Sequence, residues 1–143
     1  MNAWKRVLAT HEEPQGLSTG PWLGECFPGV ALPCVKALRK WILLRYGDRL
    51  TCAQIMDVGP WCEDDDAYVL GIAIPRAQQL KGERCPRKLS DPESTANVPD
   101  GKGGFRNCPT SNGAGIDLFP RVARELGIPI GLNVEVEWRW LEP

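Results

Sequence analysis

The chain has 143 residues, 43% of them hydrophobic and 24% charged, which suits one globular domain and excludes wholesale disorder. With 17 basic and 18 acidic residues the formal net charge is −1, too weak a field to gather nucleic acid or an anionic membrane surface. No apolar run is long enough to span a bilayer.

The opening residues Met1-Asn2-Ala3-Trp4-Lys5-Arg6 lack the apolar stretch of a signal peptide, so export would need another route or a leader already removed. Trp4 to Thr10 reads as a strand, and the Gly- and Pro-rich remainder through Pro33 as loop. Trp41–Tyr46 and Leu50–Met56 flank Gly47-Asp48, which predicts a β-hairpin. Tyr68 to Ile74 reads as a further strand or extended segment ended by Pro75, with a short helix over Arg76 to Leu80.

Lys81 to Gly113 is polar and rich in Gly, Pro, Ser and Asn; it reads as an insert, either a functional lid or a tolerated surface loop. Pro120 to Leu126 predicts a helix, with proline in its first turn, an apolar residue every fourth position and Gly127 where helices stop. Asn133 to Trp140 alternates strictly: Val134, Val136, Trp138 and Trp140 face one way, Glu135, Glu137 and Arg139 the other. Many short strands around one clear helix predict a small, mainly β barrel occupying residues 1–143 as a single domain.

Six cysteines form no CxxC pair, and one histidine cannot complete a Cys-His zinc set of the usual spacing. An even count in a loop-rich domain favours disulfides and an oxidising destination, with Cys26–Cys34 and Cys85–Cys108 as the nearest local pairs. Free thiols are the alternative for a chain that stays in the cytoplasm. Glu63-Asp64-Asp65-Asp66 lacks the spaced pattern of a calcium loop and reads as a solvated turn, so neither metal nor cofactor is expected.

Two segments carry a family resemblance. Ile55-Met56-Asp57-Val58-Gly59-Pro60-Trp61 is similar to the D-x-G-P-aromatic strand-and-loop of rare-lipoprotein-A-like double-psi β-barrels. Asn112-Gly113-Ala114-Gly115-Ile116-Asp117-Leu118, with the helix and Gly127 after it, resembles that family's I-D-L element. Ala31-Leu32-Pro33 stands where the family has a Leu-Pro, so the likeness runs from Pro28 to Trp140 around the insert. It implies a six-stranded double-psi β-barrel with one or two short helices and a polysaccharide groove across one face, as in family-45 endoglucanases and expansin-like or barwin-like barrels. It also implies a general acid at Asp117. The histidine that the lipoprotein-type enzymes carry before the Leu-Pro has no counterpart in Pro28-Gly29-Val30-Ala31; the one histidine is His11.

Glycosidic cleavage needs a carboxylic acid kept protonated near neutral pH. Asp117 is the candidate acid, against a reading as a cap or turn carboxylate ahead of the helix. Asp57 either lines the same groove or serves the tight Gly59-Pro60 loop. His11 and Glu12, near the end of the first strand, are where a second catalytic group would lie. An inverting hydrolase requires that second carboxylate; a lytic transglycosylase does not, because a hydroxyl of the sugar itself attacks. Trp61 and Trp22 are candidates to stack on sugar or to staple their loops, and Asn112 is a candidate substrate contact.

The expected function is cleavage of a cell-wall polysaccharide outside the cytoplasm, by lytic transglycosylase-like action of a monomer on peptidoglycan glycan strands. Two rivals remain: a non-catalytic carbohydrate- or protein-binding barrel of the expansin or barwin type, and an effector whose insert contacts a protein target.

Overall fold

The computed structural model describes residues 2–13, 16–62, 64–83 and 110–141. Most of the predicted insert lies outside these residues, and with it the Cys85–Cys108 pair.

Six strands close into a barrel: β1 (Lys5–His11), β4 (Gly29–Leu32), β5 (Trp41–Tyr46), β6 (Arg49–Val58), β7 (Ala114–Leu118) and β8 (Val134–Trp140). Around the ring they run β1-β7-β4-β6-β5-β8, with β1/β7 and β4/β6 parallel and the other pairs antiparallel. Each parallel pair carries a register shift, between Leu8 and Ala9 in one and between Val30 and Ala31 in the other. The fold class is therefore the expected one, a mainly β six-stranded barrel of mixed pairing compatible with a double-psi arrangement. Outside the barrel lie the small hairpin β2 (Gly16–Leu17) and β3 (Gly20–Pro21), and the short helices α1 (Asp66–Val69), α2 (Arg76–Gln79) and α3 (Pro120–Glu125).

The hairpin around Gly47-Asp48, the alternating last strand and the helix after Pro120 form as their sequence patterns dictate. Two readings are corrected. Gly29–Leu32 is a strand, not loop; all four residues are buried, so it has no polar face and no alternation to betray it. Tyr68 to Ile74 is not a strand. Its first residues lie in α1, where Tyr68 and Val69 turn into the core, and Ile72 is 98% exposed in the following loop. Nor is the acidic run wholly solvated: Asp65 is buried, and its Oδ2 accepts the Arg76 backbone N–H at 2.6 Å.

The ends of the insert meet. Gly82 N–H donates to Ser111 O and Ser111 N–H to Glu83 O, both at 2.8 Å, while Ser111 Oγ donates to Ala77 O at 2.6 Å.

Cys26–Cys34 does not form. Cys34 is buried with its thiol donating to Asp66 Oδ1 at 3.1 Å, whereas Cys26 is exposed on the loop before β4. Burial, and the anionic Asp66 beside it, push the Cys34 thiol up to about 11, so it stays protonated. Cys52 is also a free thiol, and Cys62 is disulfide-bonded. Among the described residues no helix is long and apolar enough to cross a membrane.

Inside the barrel, fully buried Trp138 donates its indole N–H to Tyr68 Oη at 2.8 Å, and Tyr68 donates to Gly115 O at 3.0 Å. This chain ties β8, α1 and β7 together through polar groups that have no access to water. Tyr68→Phe strands the indole N–H in an apolar core and is expected to cost about 2 kcal/mol in urea unfolding. A change within error would mean that the core relaxes to find another acceptor.

Candidate functional site

Asp57 near the end of β6 and Asp117 near the end of β7 pair with the same residue, Ala31 of β4, from opposite flanks. Thr10 of β1 pairs with Asp117 on its far side. The row Asp57, Ala31, Asp117, Thr10 thus crosses four neighbouring strands. β6 and β7 run in opposite directions, so their C-terminal ends meet over β4.

The row faces away from the core because of a skipped residue. Ile55 pairs with Val30 and both are core residues, but Ala31 then pairs with Asp57, leaving Met56 unmatched. Strict alternation from Ile55 would have aimed Asp57 into the core; one extra residue re-aims it onto the outer wall. Gly115 plays the same part in β7: Leu8 pairs with Ala114 and Ala9 with Ile116.

Thr10 Oγ1 donates a short hydrogen bond to Asp117 Oδ1. The other oxygen, Oδ2, is faced by Gly59, where an added Cβ would lie 3.6 Å away. Asp57 Oδ1 accepts three donors: Ser18 N–H at 2.9 Å, Ser18 Oγ at 2.8 Å and its neighbour Val58 N–H at 2.9 Å. Glu12 continues the β1/β7 ladder, its N–H donating to Leu118 O at 2.9 Å, and its carboxyl group bonds to Asp57. Its Oε2 is buried and receives no donor among the described residues. His11 Nε2–H donates to Leu132 O at 2.7 Å, which places the imidazole at the edge of the cluster.

The electrostatics follow from three carboxyl groups sharing a partly desolvated patch. Burial first, then the hydrogen bond to Asp57 and the charges of Asp117 and Asp57, push Glu12 from 4.5 to about 8. Burial pushes Asp117 from 3.8 to about 6; the Thr10 hydrogen bond and His11 oppose this, and the Asp57 charge adds to it.

Asp117, Asp57, Glu12 and His11 are therefore brought together. Asp117 is not a helix cap: the N-cap of α3 is Phe119, which makes no side-chain cap bond. The other candidates fall elsewhere. Trp61 is 5% exposed, packed with Cys62, Ala77 and Leu80, and has no open ring face for a sugar. Asn112 caps the start of β7 by accepting the Ala114 N–H at 3.0 Å, about 16 Å along an extended strand from Asp117. Trp22 follows β3, half-buried, with its indole N–H unpartnered. Sequence reasoning missed Thr10 and Ser18, whose roles depend on parallel pairing and on a hairpin docking against β6.

Among the described residues no group of three or more His, Cys, Asp or Glu side chains is arranged to hold a metal ion. No protein-family model matches the chain, and no curated protein matches it either.

Folding that raises a carboxyl group stabilises the chain fully below the group's ordinary value and loses that stability as pH rises through the raised one. For Glu12 the loss spans 4.5 to about 8, and Asp117 adds the same sign between 3.8 and about 6. Glu12→Gln keeps a donor toward Asp57 and cannot ionise. It is expected to shrink the fall in Tm between about pH 6 and about pH 9, as read by thermal unfolding. An undiminished fall would place the titrating group elsewhere.

Proposed function

We propose that the protein cleaves glycosidic bonds in a cell-wall polysaccharide outside the cytoplasm, as a lytic transglycosylase-like barrel acting on peptidoglycan glycan strands. The observation that carries this reading is Asp117: a carboxyl group raised to about 6 by burial, held by Thr10 through Oδ1 and set on the outer wall across Ala31 from Asp57, with Gly59 beside its Oδ2. Its resemblance to the I-D-L aspartate of rare-lipoprotein-A-like barrels supports the same role.

In this mechanism protonated Asp117 gives its proton to the glycosidic oxygen as the C–O bond breaks. The carboxylate left behind takes the proton of the sugar hydroxyl that attacks intramolecularly, which regenerates the acid.

The decisive experiment is incubation of the purified protein with peptidoglycan sacculi, with soluble products read by mass spectrometry beside Asp117→Asn. Anhydro-sugar ends that vanish in the variant are expected. Reducing ends would indicate hydrolysis, and glycan that co-sediments uncut would leave a binding barrel.

The pH profile is a separate test. With Asp117 as acid, cleavage is expected to fall as pH rises through about 6, because the proton to be donated is lost. Activity that persists to about 8 would transfer the role to Glu12.

A further inference from the structure

We propose that the β2–β3 hairpin is a flap beside the carboxylate row, latched on Asp57 and able to open while the barrel stays folded. Its role as a gate for glycan rests on the glycan-cleavage reading; its motion does not.

The hairpin is held down by different forces from those that hold the barrel. None of residues 16–28 is buried, and none packs against either apolar core. A Cβ added at Gly16, Gly20 or Gly24 would meet nothing within 4 Å. The attachment is polar. Ser18 N–H and Ser18 Oγ donate to Asp57 Oδ1 at 2.9 and 2.8 Å, and Thr19 Oγ1 donates to the neighbouring Met56 O at 2.8 Å. Arg39 Nη2 adds a long contact to Thr19 O at 3.4 Å. Beyond the hairpin the chain is clamped again by α3, where Arg124 Nη2 donates to Glu25 O at 3.1 Å and Arg121 Nη1 to Cys26 O at 2.8 Å. Gly24, at φ +94°, stands between the loose part and the clamped part, where a residue without Cβ turns most freely. An element with exposed hydrogen bonds and no buried apolar contact opens at the lowest cost in a fold.

The latch lies on the site itself. Val58 N–H is the third donor on Asp57 Oδ1, so a ligand hydroxyl can take that oxygen only in place of Ser18. Closure of the flap and use of Asp57 Oδ1 by a ligand are then mutually exclusive. A ligand that needs this oxygen binds the open form, and its apparent affinity falls with the closed fraction.

The test of the motion is amide hydrogen exchange by NMR on the full chain, comparing Thr19→Val with wild type. The substitution removes the bond to Met56 O and leaves Asp57 and both Ser18 donors in place. A hairpin that opens as one unit is expected to exchange its Ser18 amide about tenfold faster in the variant. The Ile55 amide of β6, bonded to Lys40 O, is expected to keep its wild-type rate. An unchanged Ser18 rate overturns the flap, because the two contacts then open separately. Equal acceleration at Ser18 and Ile55 overturns it as well, because the variant has then loosened the barrel. The gate is read apart from the motion, by co-sedimentation with peptidoglycan sacculi in an Asp117→Asn background, where Thr19→Val is expected to bring down a larger share of the protein. An equal share beside a faster Ser18 amide overturns the gating role. Absence of co-sedimentation in both forms overturns gating together with the glycan-cleavage reading, and leaves the flap standing on the exchange rates.

Discussion

One unmatched residue shapes the site. Met56 is skipped in the pairing of β6 with β4, and that slip turns Asp57 from the side of Ile55 to the side of Ala31. Without it the carboxylate would be driven among Val30, Ile55 and Trp138, where an unpaired charge is prohibitively costly. The corresponding slip at Gly115 leaves Asp117 on the outer wall while Ile116 and Leu118 stay inside. A barrel of uniform register could present one of these carboxylates outward only by burying apolar partners poorly. Ala31 between them completes the constraint, because its methyl group leaves room for two acidic side chains to share its flanks.

Crowding three carboxyl groups costs free energy that must be met by the rest of the fold. The barrel meets it with a core of aliphatic side chains closed by Trp138, and with the Trp138–Tyr68–Gly115 chain of hydrogen bonds that locks three elements in place. Hydroxyl groups do the local work. Thr10 favours charge on Asp117 while burial disfavours it, and the balance leaves a group able to exist in both forms near neutral pH.

Much of this was legible in the sequence, and the failures have physical causes. Strict alternation over Val134–Trp140 and the turn at Gly47-Asp48 are local signals, and local signals suffice for strands with one wet face. Gly29–Leu32 is dry on both faces and carries no period. Tyr68 was drawn into a helix by its buried hydrogen bonds, against the β-like look of the run that follows it. For the site, the aspartates of the D-x-G-P and I-D-L segments and the acid at the end of the first strand were visible as residues. Their meeting was not, because it depends on which strands pair and on a slip that no residue type announces. Trp61, legible as a residue either to stack on sugar or to staple its loop, packs with Cys62, Ala77 and Leu80 in a second small core.

The neck of the insert has a consequence for how the barrel is closed. Gly82, Glu83 and Ser111 hold the two crossing points together with backbone bonds of their own, none of them borrowed from a barrel strand. The step from α2 back to β7 is therefore bridged at its narrowest point, and β7 enters the ring from a start that is already tied down.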